Sequence, residues 1–546
     1  MKSDFKIGQL IKVAAIAILL GILLIACSSE EPAESDVEDG DSTTNESSTD
    51  TDDSSDEISD DPSSKHGGTL RIVFGGAIAE LGYPPAVRSM TSVVAMQPAT
   101  ETLAKFNEAG EAIPWLAEGW EKDAEQNTVT VEVKQGVQFH DGTDLDAEAV
   151  KWNLENFRDA GRVEAAVIDS VEVLDEYRLQ INLSRWDQSI QDNLFGFMGI
   201  TSPTAFQEHG EEWLRDNPVG TGPYVFKEWI KDEKIVFERN DNYWMEDKPY
   251  LDGIEIHSVT EPATAEASMI AGDFDLYLYL SPQSASNLEG DFQIEMLENG
   301  FGAIGYSLSP DSENPDSPLA DPIVRKAISY AIDKQAIVDT IYYGYGEATD
   351  QYSVEAGMTF SPSVEGTPFD PEKAAELLEE AGYGEGLEIT LTYADSPNLS
   401  LMYTSIQAYL NDVGVDVHLN PVQDSQWAEM TGSEGSWEGL IHTTFRVSND
   451  VIFDFNRSMT SDSSHYRHTM LSAEAEDLIA ESAQITDSEE YMDISHELQR
   501  MIFDDYQTVI PIMVEGQVLA QTGKVHDHGL MKTQITTWTP ESIWME

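Results

Sequence analysis

The first 64 residues of this chain offer a folded core almost nothing, so whatever it folds into must be built from residues 65–546. Ser28 to Ser64 is dominated by Ser, Thr, Asp, Glu and Gly, with no aromatic residue, lysine or arginine. Such a segment buries too little apolar surface to offset its ordering entropy, and it is predicted to be a disordered, self-repelling tether. Ahead of it, Lys2, Lys6 and Lys12 precede an unbroken apolar run from Val13 to Ala26. That run is shorter than the roughly 20 residues a membrane-spanning helix needs, and residues 1–26 read as an export signal. Cys27 is the only cysteine, which leaves no disulfide, CxxC pair or thiolate cluster to hold the fold. Residues 65–546 are too many for one hydrophobic core, so two or more lobes are expected.

The formal net charge is −71. The tether does not account for it, since 85 acids against 27 bases remain from Lys65 onward. A surface this acidic repels nucleic acid and anionic headgroups, so no nucleic-acid partner is expected. Its self-repulsion weakens where salt screens it, which suits a saline or alkaline exterior.

Two periodicities alternate after residue 65. Val129, Val131 and Val133 alternate with polar residues as in a half-buried strand, and Leu387, Ile389, Leu391 and Tyr393 do the same. Helices between them have legible ends. Asp321 and Pro322 stand at the cap and first position before an apolar face of Val324, Ala327, Ile328, Ala331 and Ile332. Asp370 and Pro371 repeat that order before Ala374, Leu377, Leu378 and Ala381, and Gly382 stops the helix. The strand at Leu387, a helix through Ile406 and Leu410 and the strand Val415 to Leu419 make a βαβ-like unit, whereas Tyr224 to Arg239 reads as a β-hairpin. A mixed α/β architecture follows.

Several motifs then add up to a resemblance. Leu24-Ile25-Ala26-Cys27 resembles the bacterial lipoprotein box, which implies a lipidated Cys27. Ala112-Ile113-Pro114-Trp115-Leu116-Ala117-Glu118-Gly119-Trp120, followed by Gly136 to Gly142 and a helix from Asp146 to Phe157, resembles the signature of family-5 extracellular solute-binding proteins. Val219-Gly220-Thr221-Gly222-Pro223-Tyr224 leads to Arg239-Asn240-Asp241-Asn242-Tyr243-Trp244, and Val324 to Asp333 follows, in that family's order. These are the oligopeptide, dipeptide and nickel-chelate receptors of ABC importers. The resemblance implies a two-lobed fold of the periplasmic-binding-protein type II class, in its large variant. Lobe I would span residues 67–300 with 511–546, including a sub-domain at about 100–200, and lobe II residues 301–510. It also implies a monomer without cofactor, anchored by lipid outside the cell, or in the periplasm where an outer membrane exists. Permease subunits with a separate ATPase would be its partners. Within these blocks Trp115, Trp120 and Phe139 read as core, Gly220 and Gly222 as a tight turn, and Arg325 as a structural ion pair.

Ligand identity is less legible. In dipeptide-type receptors a loop similar to Phe445-Arg446-Val447-Ser448-Asn449-Asp450 carries an aspartate for the ligand's ammonium group, but Val447 stands at that position here. Arg446 brings a planar fork suited to a carboxylate, Phe445 an aromatic wall, and Asp450 a nearby acid. The nickel-chelate branch resembles this region through Ser464-His465, so His465 is a candidate contact for a chelated metal, although Gly196 and Gly199 stand where that branch has arginines. Tyr83 and Arg88, in the loop Gly82 to Arg88, are expected near the first lobe's mouth. Each has an ordinary alternative: a surface ion pair for either arginine, a loop position for His465 and His468. A peptide-like solute is expected, with a metal chelate as the alternative.

No GxSxG, HExxH or GxxxxGK[ST] motif occurs, and His496-Glu497 lacks the second histidine of a zinc helix because Arg500 occupies its place. A secreted hydrolase using paired carboxylates is the alternative of another class; no catalytic residue is nominated. If the acidity is an adaptation to salt, the melting temperature should rise between low and molar salt, and a flat profile would count against it.

Overall fold

The computed structural model describes residues 65–546 except 108–110, 188–189, 298–299, 301, 433, 462, 464, 466–467, 483–484 and 531–537. The segments expected to be an export signal and a tether, and Cys27 with them, lie outside the described residues.

Strand Thr69–Phe74 starts the fold and buries Leu70, Ile72 and Phe74 completely. It pairs in parallel with Gly253–Ser258 on one side and Leu276–Leu278 on the other. The hairpin of Tyr224–Ile230 and Lys234–Arg239 extends this sheet at one edge, as the alternation predicted. Val518–Gln521 and Gln293–Met296 complete its seven strands at the other.

A second, six-stranded sheet runs in the order Gly346–Ala348, Ile510–Glu515, Ile304–Pro310, Leu440–Arg446, Leu387–Ala394, Val415–Val422. The predicted βαβ unit is present: Leu387–Ala394 and Val415–Val422 pair in parallel across helix Pro397–Asp412. Asp321 and Asp370 cap helices Pro322–Ala331 and Pro371–Glu380 through their side chains, and Gly382 adopts the left-handed backbone that ends the second. Strand Ile510–Glu515 pairs with Ile304–Pro310 and Gly346–Ala348. The expected boundary at 511 is thereby corrected. Two strand partners hold residues 511–515 in the second sheet, and the return to the first comes at 516–517.

A third sheet of four strands, between residues 117 and 183, packs against helix Ala147–Asp159 around its own core of Val129, Val131, Leu154, Phe157, Leu179 and Ile181. The signature blocks converge where this core meets the first sheet. Glu101, 5% exposed, accepts hydrogen bonds from Trp115 Nε1 at 2.8 Å, Tyr243 Oη at 2.8 Å, Thr221 Oγ1 at 2.8 Å and Trp244 Nε1 at 3.1 Å. Burial pushes its pKa up, against the opposing pull of Lys105 and the donated hydrogen bonds. Lys105 lies over the Trp115 ring and pairs with Glu541, so the C-terminal segment is tied into the same knot.

Two readings of these blocks are corrected. Gly220 and Gly222 serve close approach rather than a special turn, since a Cβ at either would sit 2.2 Å from Ala99 O or 2.5 Å from Pro98 O. Arg325 is not an ion-pair residue. It is 4% exposed and donates to the carbonyls of Gln507, Leu319, Ala320 and Tyr506, and burial lowers its pKa to about 10.

Glu101→Ala should destabilise the protein by upwards of about 3 kcal/mol in urea unfolding, because one buried donor and three part-buried ones would lose a shared partner, at roughly 1–3 kcal/mol for each donor left unsatisfied. A loss below about 1 kcal/mol would show that water replaces the carboxylate.

Candidate functional site

A cavity of about 290 Å³ opens beside the end of strand Leu440–Arg446. Phe445 and Arg446 line it, with Tyr352, Trp427 of helix Asp424–Thr431, Asp454 and Arg457 of helix Val451–Ser458, and His465. The strand-to-helix turn is set by Asp450, whose carboxylate accepts from Phe453 N at 3.0 Å and from Tyr491 Oη at 2.8 Å. Helical spacing then places Asp454, Arg457 and Ser458 on one face.

The aromatic wall is fixed by packing. Phe445 stacks on Tyr352 with centroids 4.0 Å apart and planes 8° from parallel. Its ring lies over Gly305, its strand partner, where a Cβ would come within 2.0 Å of it. Only glycine admits the phenyl ring there. Trp427 is oriented by a 2.8 Å hydrogen bond from Nε1 to His442 O, and burial drives the pKa of His442 down to about 3, so that imidazole is neutral.

Charge in the cavity is arranged around Asp454. Its carboxylate accepts from Ser448 Oγ at 2.5 Å and stands 3.3 Å from Arg457 Nη2. Burial, with Asp450 adding to it, raises its pKa to about 6 although Arg457, Ser448 and Arg446 pull the other way. Arg446 donates from Nη1 to Gly302 O at 3.1 Å. Desolvation by the surrounding walls, and next the Arg457 charge, lowers its pKa. The same two causes lower that of His465.

The structure brings Phe445, Arg446 and His465 to one cavity and leaves the other nominated residues elsewhere. Tyr83 is corrected to a core residue, 5% exposed, packed on Phe206 and donating its hydroxyl to Asn156. Arg88 is exposed and bonded to Pro85 O rather than placed at the cavity. Asp450 is turned away as the helix cap. His465 and His468 do not share a helix; His465 makes a bridge with Gly432, and His468 lies against Glu313 and Trp437. Val447, at the ammonium-anchor position, is 2% exposed and offers no charge. Sequence reasoning missed Asp454 and Arg457, for which the i, i+4 and i+7 spacing from Asp450 was the available signal.

Among the described residues no group of three or more His, Cys, Asp or Glu side chains is placed to hold a metal ion, and no helix is long and apolar enough to cross a membrane.

Residues 111–465 match the family of bacterial extracellular solute-binding proteins, family 5. The chain belongs to this family. Heme-binding protein A of Haemophilus influenzae is 28% identical over 411 residues, covering 67% of this chain and 74% of the relative. The glutathione-binding protein GsiB of Shigella flexneri is 26% identical over 426 residues, covering 74% and 81%. The solved structure of the periplasmic binding protein DppA from Helicobacter pylori, in complex with the peptide STSA, superposes with a TM-score of 0.70 at 22% identity, over 88% of this chain and 99% of that one. The fold is thus the two-lobed one of this family. As a family-5 solute-binding protein the chain is a binding receptor of the ABC-importer class, and not an enzyme.

Asp454 gives the ligand-free protein a pH signature. A carboxyl whose folded pKa of about 6 exceeds its unfolded value near 3.9 contributes stability that is fully present below the unfolded value and lost as pH rises through 6. Relative to Asp454→Asn, the wild-type melting temperature should therefore fall between pH 4 and pH 7. Parallel curves for the two proteins would show that Asp454 titrates normally.

Proposed function

We propose that this chain is the lipid-anchored extracellular receptor of an ABC importer. It captures a short peptide-like solute by closing two lobes, one built on each large sheet, and presents it to permease subunits driven by a separate ATPase. The observation that carries this reading is the cavity at the end of strand Leu440–Arg446, which offers a guanidinium and a stacked aromatic wall immediately before Val447, the residue hydrogen-bonded to the crossing between the sheets. The relatives named for glutathione and the structure holding a peptide support a peptide-like solute. Tethered at Cys27, a monomer would work outside the cell, or in the periplasm where an outer membrane exists.

A second reading rests on His465, whose position on the cavity wall also suits a metal delivered within a chelate. Native mass spectrometry of the soluble protein from Lys65 onward distinguishes the two by the mass of the retained ligand.

Arg446→Ala should weaken calorimetric affinity for a peptide ligand roughly tenfold to a hundredfold, the equivalent of a charge-assisted hydrogen bond worth about 1.5–3 kcal/mol. Saturating peptide should also make the wild-type protein more compact in small-angle scattering. Unchanged affinity together with a marked loss of unliganded stability would make Arg446 a structural residue and remove it from the site.

Cys27→Ala should release the protein from membranes, because a lipidated N-terminus is its proposed anchor once the signal is cut. Equal partitioning of wild type and variant into detergent would refute the anchor.

A further inference from the structure

The cavity has the opposite charge balance to the chain that surrounds it. Acids outnumber bases 101 to 30 in the sequence, yet the cavity wall presents two arginines, Arg446 and Arg457, against one acid, Asp454. That acid is engaged and poorly exposed: it is 7% exposed, accepts from Ser448 and faces Arg457. Arg457 makes a single 3.3 Å contact with it from Nη2 and keeps a side chain 44% exposed. Arg446 directs one Nη1–H to Gly302 O. Each guanidinium has five N–H donors in a planar fork, so the described contacts engage a small part of either. Two such forks close enough to depress the Arg446 pKa repel each other, and an anion between them relieves that repulsion.

We propose, resting on the reading of this cavity as a peptide site, that it selects acidic peptides, with Arg446 taking one carboxylate and Arg457 a second carboxylate carried on a ligand side chain. The arrangement favours this over a zwitterionic peptide. With Arg457 paired to Asp454, the three charged groups of the wall carry one net positive charge, which a zwitterionic peptide of zero net charge leaves unbalanced and a peptide with one extra carboxylate balances. It also favours it over a basic peptide, because neither Val447 nor the engaged Asp454 offers an ammonium group an unshared carboxylate.

The test is calorimetry on the soluble protein from Lys65 onward with Ala-Glu-Ala, Ala-Gln-Ala and C-terminally amidated Ala-Glu-Ala. Wild type should bind the Glu peptide about tenfold or more tighter than the Gln peptide, the usual scale of a charge-assisted hydrogen bond. Arg457→Gln should abolish that preference while keeping the penalty for amidation. Arg457→Lys, which retains charge without the fork, should keep part of the preference. Equal affinity of wild type for the Glu and Gln peptides would overturn the selection of acidic peptides while leaving the peptide receptor intact. An equal loss of all three peptides in Arg457→Gln, with a lowered melting temperature, would overturn it by making Arg457 structural. Binding of none of the three to wild type would overturn the peptide-receptor reading itself, and this inference with it.

Discussion

Two large sheets in one chain must be joined somewhere, and here they are joined by two neighbouring threads. Ile304–Pro310 and Ile510–Glu515 pair in the second sheet, while Gln293–Met296 and Val518–Gln521, just across the joints, pair in the first. Each sheet buries its own hydrophobic cluster, so bending at the two joints leaves both cores intact. The joints are stitched to the candidate site by backbone hydrogen bonds: Gly302 N donates to Val447 O at 2.7 Å, and Val447 N to Ala303 O at 3.1 Å. Gly300 and Gly302 both adopt left-handed backbone there. Arg446 adds its own bond to Gly302 O. A ligand that draws on Arg446 therefore acts one residue away from the segment whose geometry sets the angle between sheets, which is what differential binding to open and closed forms requires.

The first half of the molecule depends on a different device. Trp115 stands more than a hundred residues before Thr221, Tyr243 and Trp244 in sequence, yet each of the four donates to the one carboxylate of Glu101. An ionised carboxylate accepts about four hydrogen bonds, so the set is complete. This explains why these aromatics mark the family's signature without touching the cavity: their hydrogen bonds hold the third sheet's core to the first sheet. The Lys105 to Glu541 pair extends the same knot to the C-terminal segment, which the first sheet recovers after the second crossing.

What was legible in the sequence was local. Asp-Pro caps, alternation in Thr128–Val133 and Leu387–Ala394, and the hairpin from Tyr224 to Arg239 depend on neighbours a few residues away, and all are present. What was missed depends on partners brought from afar. Arg325 looks like one half of an ion pair until Gln507 and Tyr506 arrive with bare carbonyls at the end of another element. Gly305 has no local signal of its role, which is set by Phe445 lying across it from the neighbouring strand. Tyr83 and Asp450 are chemically suited to a ligand but are engaged by Asn156, Phe453 and Tyr491, and no spacing rule shows that. Arg446 was legible because the loop carrying it resembles the ligand loop of dipeptide-type receptors; Arg457 was not, because a charged residue on an amphipathic helix has a solvent-facing explanation by default.

Surface and cavity charge also bear on one another. An exterior with so large an acidic excess repels an anionic ligand at long range, but over a distance that salt shortens to about 8 Å at 0.15 M and about 3 Å at 1 M. Arg446 and Arg457 act at contact, within the screening length, so their attraction loses less to salt than the long-range outer repulsion does. The two fields thus separate by range: the outer one governs how fast an acidic solute arrives, and the inner one how long it stays. A receptor with this combination gains arrival rate as salt rises while giving up less of its hold, because the residues that grip are less screened than the residues that repel.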